Sequence, residues 1–313
     1  MAKPTITWLG ILLFLYLALS FVAGAFVAEG ALHPARRALT AANEHAEQLQ
    51  AKDDGASIVE VAIPAADGVS LQAWYLHPED ANGNAVLLLH GLGDNRLGMT
   101  DYADLFLHHG YSVLMPDARA HGASGGSIAT YGFLEADDIR RWFDWIRLHE
   151  HAGCIYGFGE SMGAAQILDS LGTEPHFCAV AAECPFSTFR EAAYERVGQH
   201  FHTGPWLGRT VLRPVVESAF LYTRWKFGLD MQRVSPADAV ASTKIPVFLI
   251  HGQDDTNLPI RHSRLILARN PRVVLWEVPN TGHSNAIDTC PKEVETRLAN
   301  WFADHSIDLA FAP

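Results

Sequence analysis

The sequence predicts an α/β fold, a mainly parallel sheet flanked by helices, with a helical insertion late in the sheet and a transmembrane helix ahead of it. Three observations carry this reading. Short continuous apolar runs recur along the chain, AVLLLH at 85–90 being one, as expected of strands buried on both faces. These runs alternate with helical segments of about ten residues, the spacing of parallel strands joined by crossover helices. Finally, residues 6–28 contain no side chain charged at neutral pH, and about 20 such residues, rising ~1.5 Å each, cross ~30 Å of hydrocarbon.

The first element is therefore a signal anchor over 1–30. Ala23-Gly24-Ala25 also supplies a cleavage site for a signal peptide, but the apolar run is longer than the 7 to 15 residues usual for a cleaved leader. Lys3 competes with Arg36, Arg37 and Lys52 under the positive-inside rule. The short leading tail favours an exported catalytic body, periplasmic or extracellular, or secreted if the leader is cut. A juxtamembrane linker or helix fills 31–56. Strands at 57–63 and 69–76 flank the Asp67-Gly68 turn, and the 85–90 strand follows. A helix at 100–109, a strand at 111–115 and a helix with Ile139, Trp142, Phe143 and Ile146 at i, i+3, i+4, i+7 come next. Strands at 154–158, 177–182, 247–251 and 273–278 and helices at 162–171, 259–268 and 293–305 complete a domain spanning 57–305, with a tail at 306–313. About residues 186–234 the alternation breaks, and aromatic and basic side chains replace core strands. That stretch is expected to form a helical cap whose aromatics roof an apolar pocket.

Composition narrows the partners. The net charge is -12, with 35 acids against 23 bases, the wrong balance for a nucleic-acid partner. Cys154, Cys178, Cys184 and Cys290 form no C-x-x-C pair. Cys154 and Cys178 lie in apolar runs and read as small buried hydrophobes. Cys184 and Cys290 fall near element ends, which leaves a disulfide between them open in an exported domain. His200 and His202 are the only histidines worth checking for a metal, and no third ligand lies at metal-site spacing.

The chemistry starts at Gly157-Phe158-Gly159-Glu160-Ser161-Met162-Gly163, a G-x-S-x-G segment between an expected strand and an expected helix. Such a turn exposes Ser161 and brings Gly159 and Gly163 against neighbouring backbone, where a Cβ would clash. A serine needs a base to take its proton and an acid to orient that base. Both lie on later loops. His251-Gly252-Gln253-Asp254-Asp255 ends a strand and offers two acids, while His283 is the only histidine between the last strand and the closing helix.

With this serine, acid, histidine order the chain resembles the α/β-hydrolase-fold serine hydrolases, akin to the membrane-associated α/β-hydrolase-domain proteins. The resemblance covers roughly residues 58–305. In the family the acid sits in a pattern like HGxxDxxVP; HGQDDTNLP aligns it with Asp255, leaving Asp254 as a helix-capping carboxylate. The resemblance implies an oxyanion hole from the Met162 N–H, behind the nucleophile, and the Leu92 N–H, in His90-Gly91-Leu92-Gly93. PDARAHGASG at 116–125 resembles the family's D-x-R-G-H-G-x-S-x-G loop, with Ala120 where glycine is usual. Asp117 and Arg119 are expected to brace that loop, and Glu160 to serve as a hydrogen-bonded support. The activity implied is cleavage of a carboxylic ester, lipid-like or a thioester, through an acyl-enzyme, with no metal or organic cofactor. A serine peptidase or acyltransferase is the near alternative on the same fold, and a non-catalytic membrane-anchored binding protein the distant one.

Overall fold

The computed structural model describes residues 3–43, 55–150, 152–173, 176–199 and 201–306. Most of the expected linker at 44–54, His200 and the tail at 307–313 lie outside the described residues. The chain opens with α1 (Lys3–Leu32). Strands β1 (Ala56–Pro64) and β2 (Ser70–Pro78) then pair antiparallel, turning at Gly68, whose φ of 82° suits a residue without Cβ.

From β3 (Ala85–Leu89) the alternation expected from the sequence sets in. It runs through α2 (Thr100–His108), β4 (Ser112–Pro116), α3 (Glu135–His149), β5 (Ile155–Glu160), α4 (Met162–Ser170) and β6 (Val180–Glu183). The insertion contributes α5 (Phe189–Gln199), the single turn α6 (Trp206–Arg209) and α7 (Arg213–Phe227). After it come α8 (Pro236–Ser242), β7 (Val247–Gly252), α9 (Arg261–Arg269), β8 (Val274–Val278), α10 (Ala286–Thr289) and α11 (Pro291–Asp304). The eight strands form one sheet in the order β1-β2-β4-β3-β5-β6-β7-β8. β2 meets β4 antiparallel, and every pairing from β4 to β8 is parallel.

A strand presents successive side chains to opposite faces, and here both faces are dry. Val86 and Leu88 join Phe106, Phe158 and Phe302 in one cluster, whereas Leu87 and Leu89 join Trp142, Ile167 and Ile266 in the other. α2 and α11 cover the first face; α3, α4 and α9 cover the second. Each fully buried side chain of this size contributes roughly 1.5–3 kcal/mol, so the sheet's centre fixes the register of the loops at its ends.

Two expectations change here. Cys154 and Cys178 are not independent buried hydrophobes. They lie just ahead of the adjacent parallel strands β5 and β6, with the Cys178 N–H donating to Ile155 O at 2.9 Å, and they are joined by a disulfide with a Cα–Cα distance of 5.7 Å. Cys184 and Cys290 are free thiols. The strand expected at 177–182 begins only at Val180, and Phe177 ahead of it packs edge to face on Phe143.

The fold divides into two compact units: residues 34–187 and 235–313 with the sheet, and α1 with Thr188–Val234. Within the second unit Tyr194 and Phe220 are buried, while Trp206 and Trp225 are exposed.

Candidate active site

The turn that carries Ser161 is built by close packing at the end of β5. A Cβ on Gly159 would lie 2.5 Å from the Gly163 carbonyl, and one on Gly163 would lie 2.3 Å from Leu89 O. Only glycine allows β5, α4 and the end of β3 to approach so closely. Ser161, between them, has φ 51° and ψ -108°, a strained conformation for a residue with a Cβ, costing on the order of 1–3 kcal/mol. It is held there by its N–H, which donates to Glu183 O at 2.8 Å, and by its carbonyl, which accepts from Ala165 N–H at 3.1 Å.

The structure brings Ser161, His283 and Asp255 into one line. Ser161 Oγ lies 2.8 Å from His283 Nε2, and His283 Nδ1 lies 2.7 Å from Asp255 Oδ2. Asp254, the other acid on the loop after β7, points to solvent. Asp255 is buried, and its Oδ1 accepts from the N–H groups of Asn257 and Leu258 at 2.8 and 2.9 Å. Burial alone would raise this carboxyl, but hydrogen bonds from His251 and His283 and the charge of His283 hold it well below the usual carboxylate range. It is therefore an anion at neutral pH, with its second oxygen turned to the His283 imidazole.

Sequence reasoning missed two supporting residues. His251, which begins the HGQDD segment, is buried with Nδ1 2.7 Å from Ser263 Oγ. Its Nε2 lies 2.8 Å from Leu258 O and 3.3 Å from Asp255 Oδ2, so one N–H is shared between the loop carbonyl and the carboxylate. Glu183, at the end of β6, accepts from Tyr102 Oη at 2.5 Å and from Ala286 N–H at 3.0 Å. Through Ala286 it grips the segment carrying His283. Glu160 does not play the supporting part expected of it: among the described residues its carboxyl makes no hydrogen bond. It stands beside Glu183 across β5 and β6, and burial together with the Glu183 charge pushes it well above its ordinary range. Burial raises Glu183 as well. A buried glutamate at a strand end is visible in the sequence only as an acid in an otherwise apolar run, the signal that Glu183 gave.

The loop at 116–125 braces the other side. Asp117 accepts from Arg96 N, Nε and Nη2 at 2.8, 3.1 and 2.8 Å and from Ala123 N–H at 2.7 Å. Arg119 donates to both Asp138 oxygens at 2.8 Å and to Asp67 at 2.9 Å. Ala120, replacing the usual glycine, has φ 61°, so the left-handed conformation persists at the cost of a Cβ. His121 Nε2 accepts from Gly93 N–H at 3.1 Å and His90 Nε2 from Ala118 N–H at 3.0 Å. Burial lowers both imidazoles, His90 to about 4, so they stay neutral and can accept. The two rings tie this loop to residues 91–93.

That second loop carries Leu92. Gly91 faces Ser161 so closely that a Cβ on it would lie 3.7 Å from Ser161 Cβ, and Met162 opens α4 immediately after Ser161. Neither the Leu92 nor the Met162 amide hydrogen is taken by a protein acceptor among the described residues. Cys184 Sγ, with φ 50° at its backbone, accepts from Ser284 N–H at 3.4 Å. Its sulfur comes within 4.8 Å of the Asp255 and His283 donor atoms, but burial keeps the thiol protonated, and the imidazole and carboxylate are bonded to each other. A thiol, an imidazole and a carboxylate so engaged make a poor cation site.

An alpha/beta hydrolase family model matches residues 86–297, well over half of the chain. The chain belongs to the alpha/beta hydrolase family. Among its relatives, an uncharacterized Bacillus subtilis protein, YqkD, is 32% identical over 226 residues, 71% of this chain and 72% of its own. An uncharacterized Escherichia coli protein, YfhR, is 27% identical over 235 residues, 72% of this chain and 73% of its own. Among solved structures, an esterase of Pyrococcus furiosus superposes with a TM-score of 0.67 at 25% identity, covering 87% of this chain and 99% of that one. An acylaminoacyl peptidase of Pyrococcus horikoshii gives a TM-score of 0.60 at 17% identity, covering 80% of this chain and 42% of that one, a likeness of fold alone.

Proposed function

We propose that the protein is a membrane-anchored serine hydrolase that cleaves carboxylic esters through an acyl-enzyme. The observation that carries this reading is the hydroxyl, imidazole and carboxylate in line at 2.8 and 2.7 Å, ending on a strained serine. His283 takes the Ser161 proton as the oxygen attacks the acyl carbonyl, then returns it to the leaving alkoxide. Asp255, held anionic, fixes the imidazole with Nε2 toward the serine and stabilises the imidazolium. The Met162 and Leu92 N–H groups receive the tetrahedral oxyanion, each worth ~3 kcal/mol of transition-state stabilisation. Water activated by the same histidine then clears the acyl group.

An ester is favoured by the likeness to the Pyrococcus furiosus esterase. α1 supports anchoring: residues Trp8–Leu32, apolar but for Glu29, are long enough to cross a membrane. The Cys154–Cys178 disulfide supports a body facing an oxidising compartment. Purified parent and Ser161→Ala should be compared on p-nitrophenyl esters of two to sixteen carbons and on the matching anilides. The parent should turn over esters at least tenfold faster than anilides, and the variant neither above background. Equal ester turnover by the variant would remove Ser161 from the mechanism, and faster anilide turnover would make the enzyme a peptidase.

A further inference from the structure

Within the helical unit α1 and α7 run side by side in the same direction. Tyr16 Oη bonds Val211 O just ahead of α7. Further along, Gly24 abuts its middle, where a Cβ would lie 2.5 Å from Val215 O and 2.8 Å from Ser218 Cβ. Beyond that, Glu29 Oε1 accepts from Tyr222 Oη and Lys226 Nζ, each at 2.5 Å. The seam on α1 is Ser20, Gly24, Ala28 and Leu32, all buried and four residues apart, and its first three members have the small-residue spacing that lets helix backbones approach inside a bilayer. The candidate cleavage site, Ala23-Gly24-Ala25, sits inside this seam.

The pairing fixes depth. From Trp8 to Tyr16 α1 advances only about 12 Å at ~1.5 Å per residue, far short of the ~30 Å of a hydrocarbon core. A crossing that starts near Trp8 must take in about eleven residues beyond Tyr16. Those are the residues against which the first half of α7 is packed. An α1 that spans the membrane therefore carries α7 in with it.

The surface of the insertion agrees with that. Trp206 and Trp225 are 62% and 75% exposed, as are Val211 and Leu221 at 55% and 59%, an unusual amount of apolar surface to leave in water. The same 188–234 stretch holds seven basic against four acidic residues in a chain of net charge -12, a sign complementary to anionic headgroups. Its immersed charges are not left alone. Glu217 lies 3.1 Å from Arg190 and 3.7 Å from Arg213, and Arg209 pairs with Glu191, so these charges enter as neutralised pairs.

We infer that the bilayer itself covers this face: the α6–α7 segment enters one leaflet beside α1, burying Trp206, Val211, Leu221 and Trp225 among lipid chains. The inference rests on the reading of α1 as a membrane anchor, and it implies that the leader is retained, since cutting after Ala25 would strip α7 of its partner.

Acyl-chain-brominated lipids quench tryptophan only where the ring is immersed. The full chain is reconstituted in vesicles of brominated phosphatidylcholine and phosphatidylglycerol, and the quenched emission is compared for the parent, Trp8→Phe, and the double variant Trp206→Phe with Trp225→Phe. Trp8 reports the anchor and the other two report the insertion; all three are exposed, so phenylalanine leaves the packing intact. Quenched emission in the double variant should fall to about one third of the parent's, and in Trp8→Phe to about two thirds. A double variant quenched as fully as the parent, with the Trp8→Phe loss preserved, would overturn the inference and leave the anchor standing. Loss of quenching in neither variant would overturn both.

Discussion

Replacing both Cys154 and Cys178 by serine tests how the sheet is held at the end away from the site. The bridge joins the chain just ahead of β5 and β6 over a sequence separation of 24, whereas Ser161 lies past the far end of β5. In the unfolded chain a closed loop of about that length removes roughly 3.5 kcal/mol of conformational freedom, and losing it should lower stability by about that amount. For a body of this size that corresponds to a fall in Tm of about 7–14 °C. The assay is urea unfolding of parent and double variant followed by tryptophan emission, with and without dithiothreitol, alongside thiol titration of the unreduced, unfolded chain. The parent should titrate two thiols, Cys184 and Cys290, and reductant should bring its midpoint down to that of the variant. Four titratable thiols, or a variant within ~0.5 kcal/mol of the parent, would refute the reasoning.

Gly163→Ala should cost ester turnover at least a hundredfold, since its Cβ would press against Leu89 O at 2.3 Å and displace either the nucleophile or the oxyanion loop; steady-state kinetics on a short-chain ester checks it. Asp255→Asn should lower kcat by about 10³–10⁴ by losing the orienting charge, while Asp254→Asn, exposed, should stay within about twofold of the parent. Glu160→Gln should flatten the pH dependence of stability. The Glu160 carboxyl is raised in the folded state, so its contribution is present below the ordinary glutamate range and is lost as pH rises toward the folded value, at up to ~1.4 kcal/mol per pH unit. Urea midpoints should therefore fall from pH 5 to pH 8 in the parent and fall less steeply in the variant, where the raised Glu183 remains; equal slopes in the two would contradict the raised Glu160 carboxyl.

Much of the sheet was legible because both of its faces are buried: Val86, Leu87, Leu88 and Leu89 are all apolar for that reason, and a run of this kind is hard to place elsewhere. The elbow was legible because Gly159 and Gly163 answer a steric demand that no other residue meets. What escaped the sequence depended on neighbours far apart in the chain. The Cys154–Cys178 bridge follows from the adjacency of β5 and β6, which periodicity does not encode. Glu183 falls just past the expected 177–182 strand, and its grip on Ala286, a hundred residues on, appears only once β6 and the start of α10 are brought together. The pairing of α1 with α7 was equally hidden, since an apolar helix needs no partner to look complete.

The most direct test of the mechanism is to locate the covalent intermediate's attachment point. Brief exposure to a fluorophosphonate, followed by peptide mass mapping, should give a single adduct on Ser161 in the parent, none in Ser161→Ala, and a labelling rate reduced at least a hundredfold in His283→Ala. An adduct on another residue, or labelling of His283→Ala at the parent's rate, would contradict a serine activated by that imidazole.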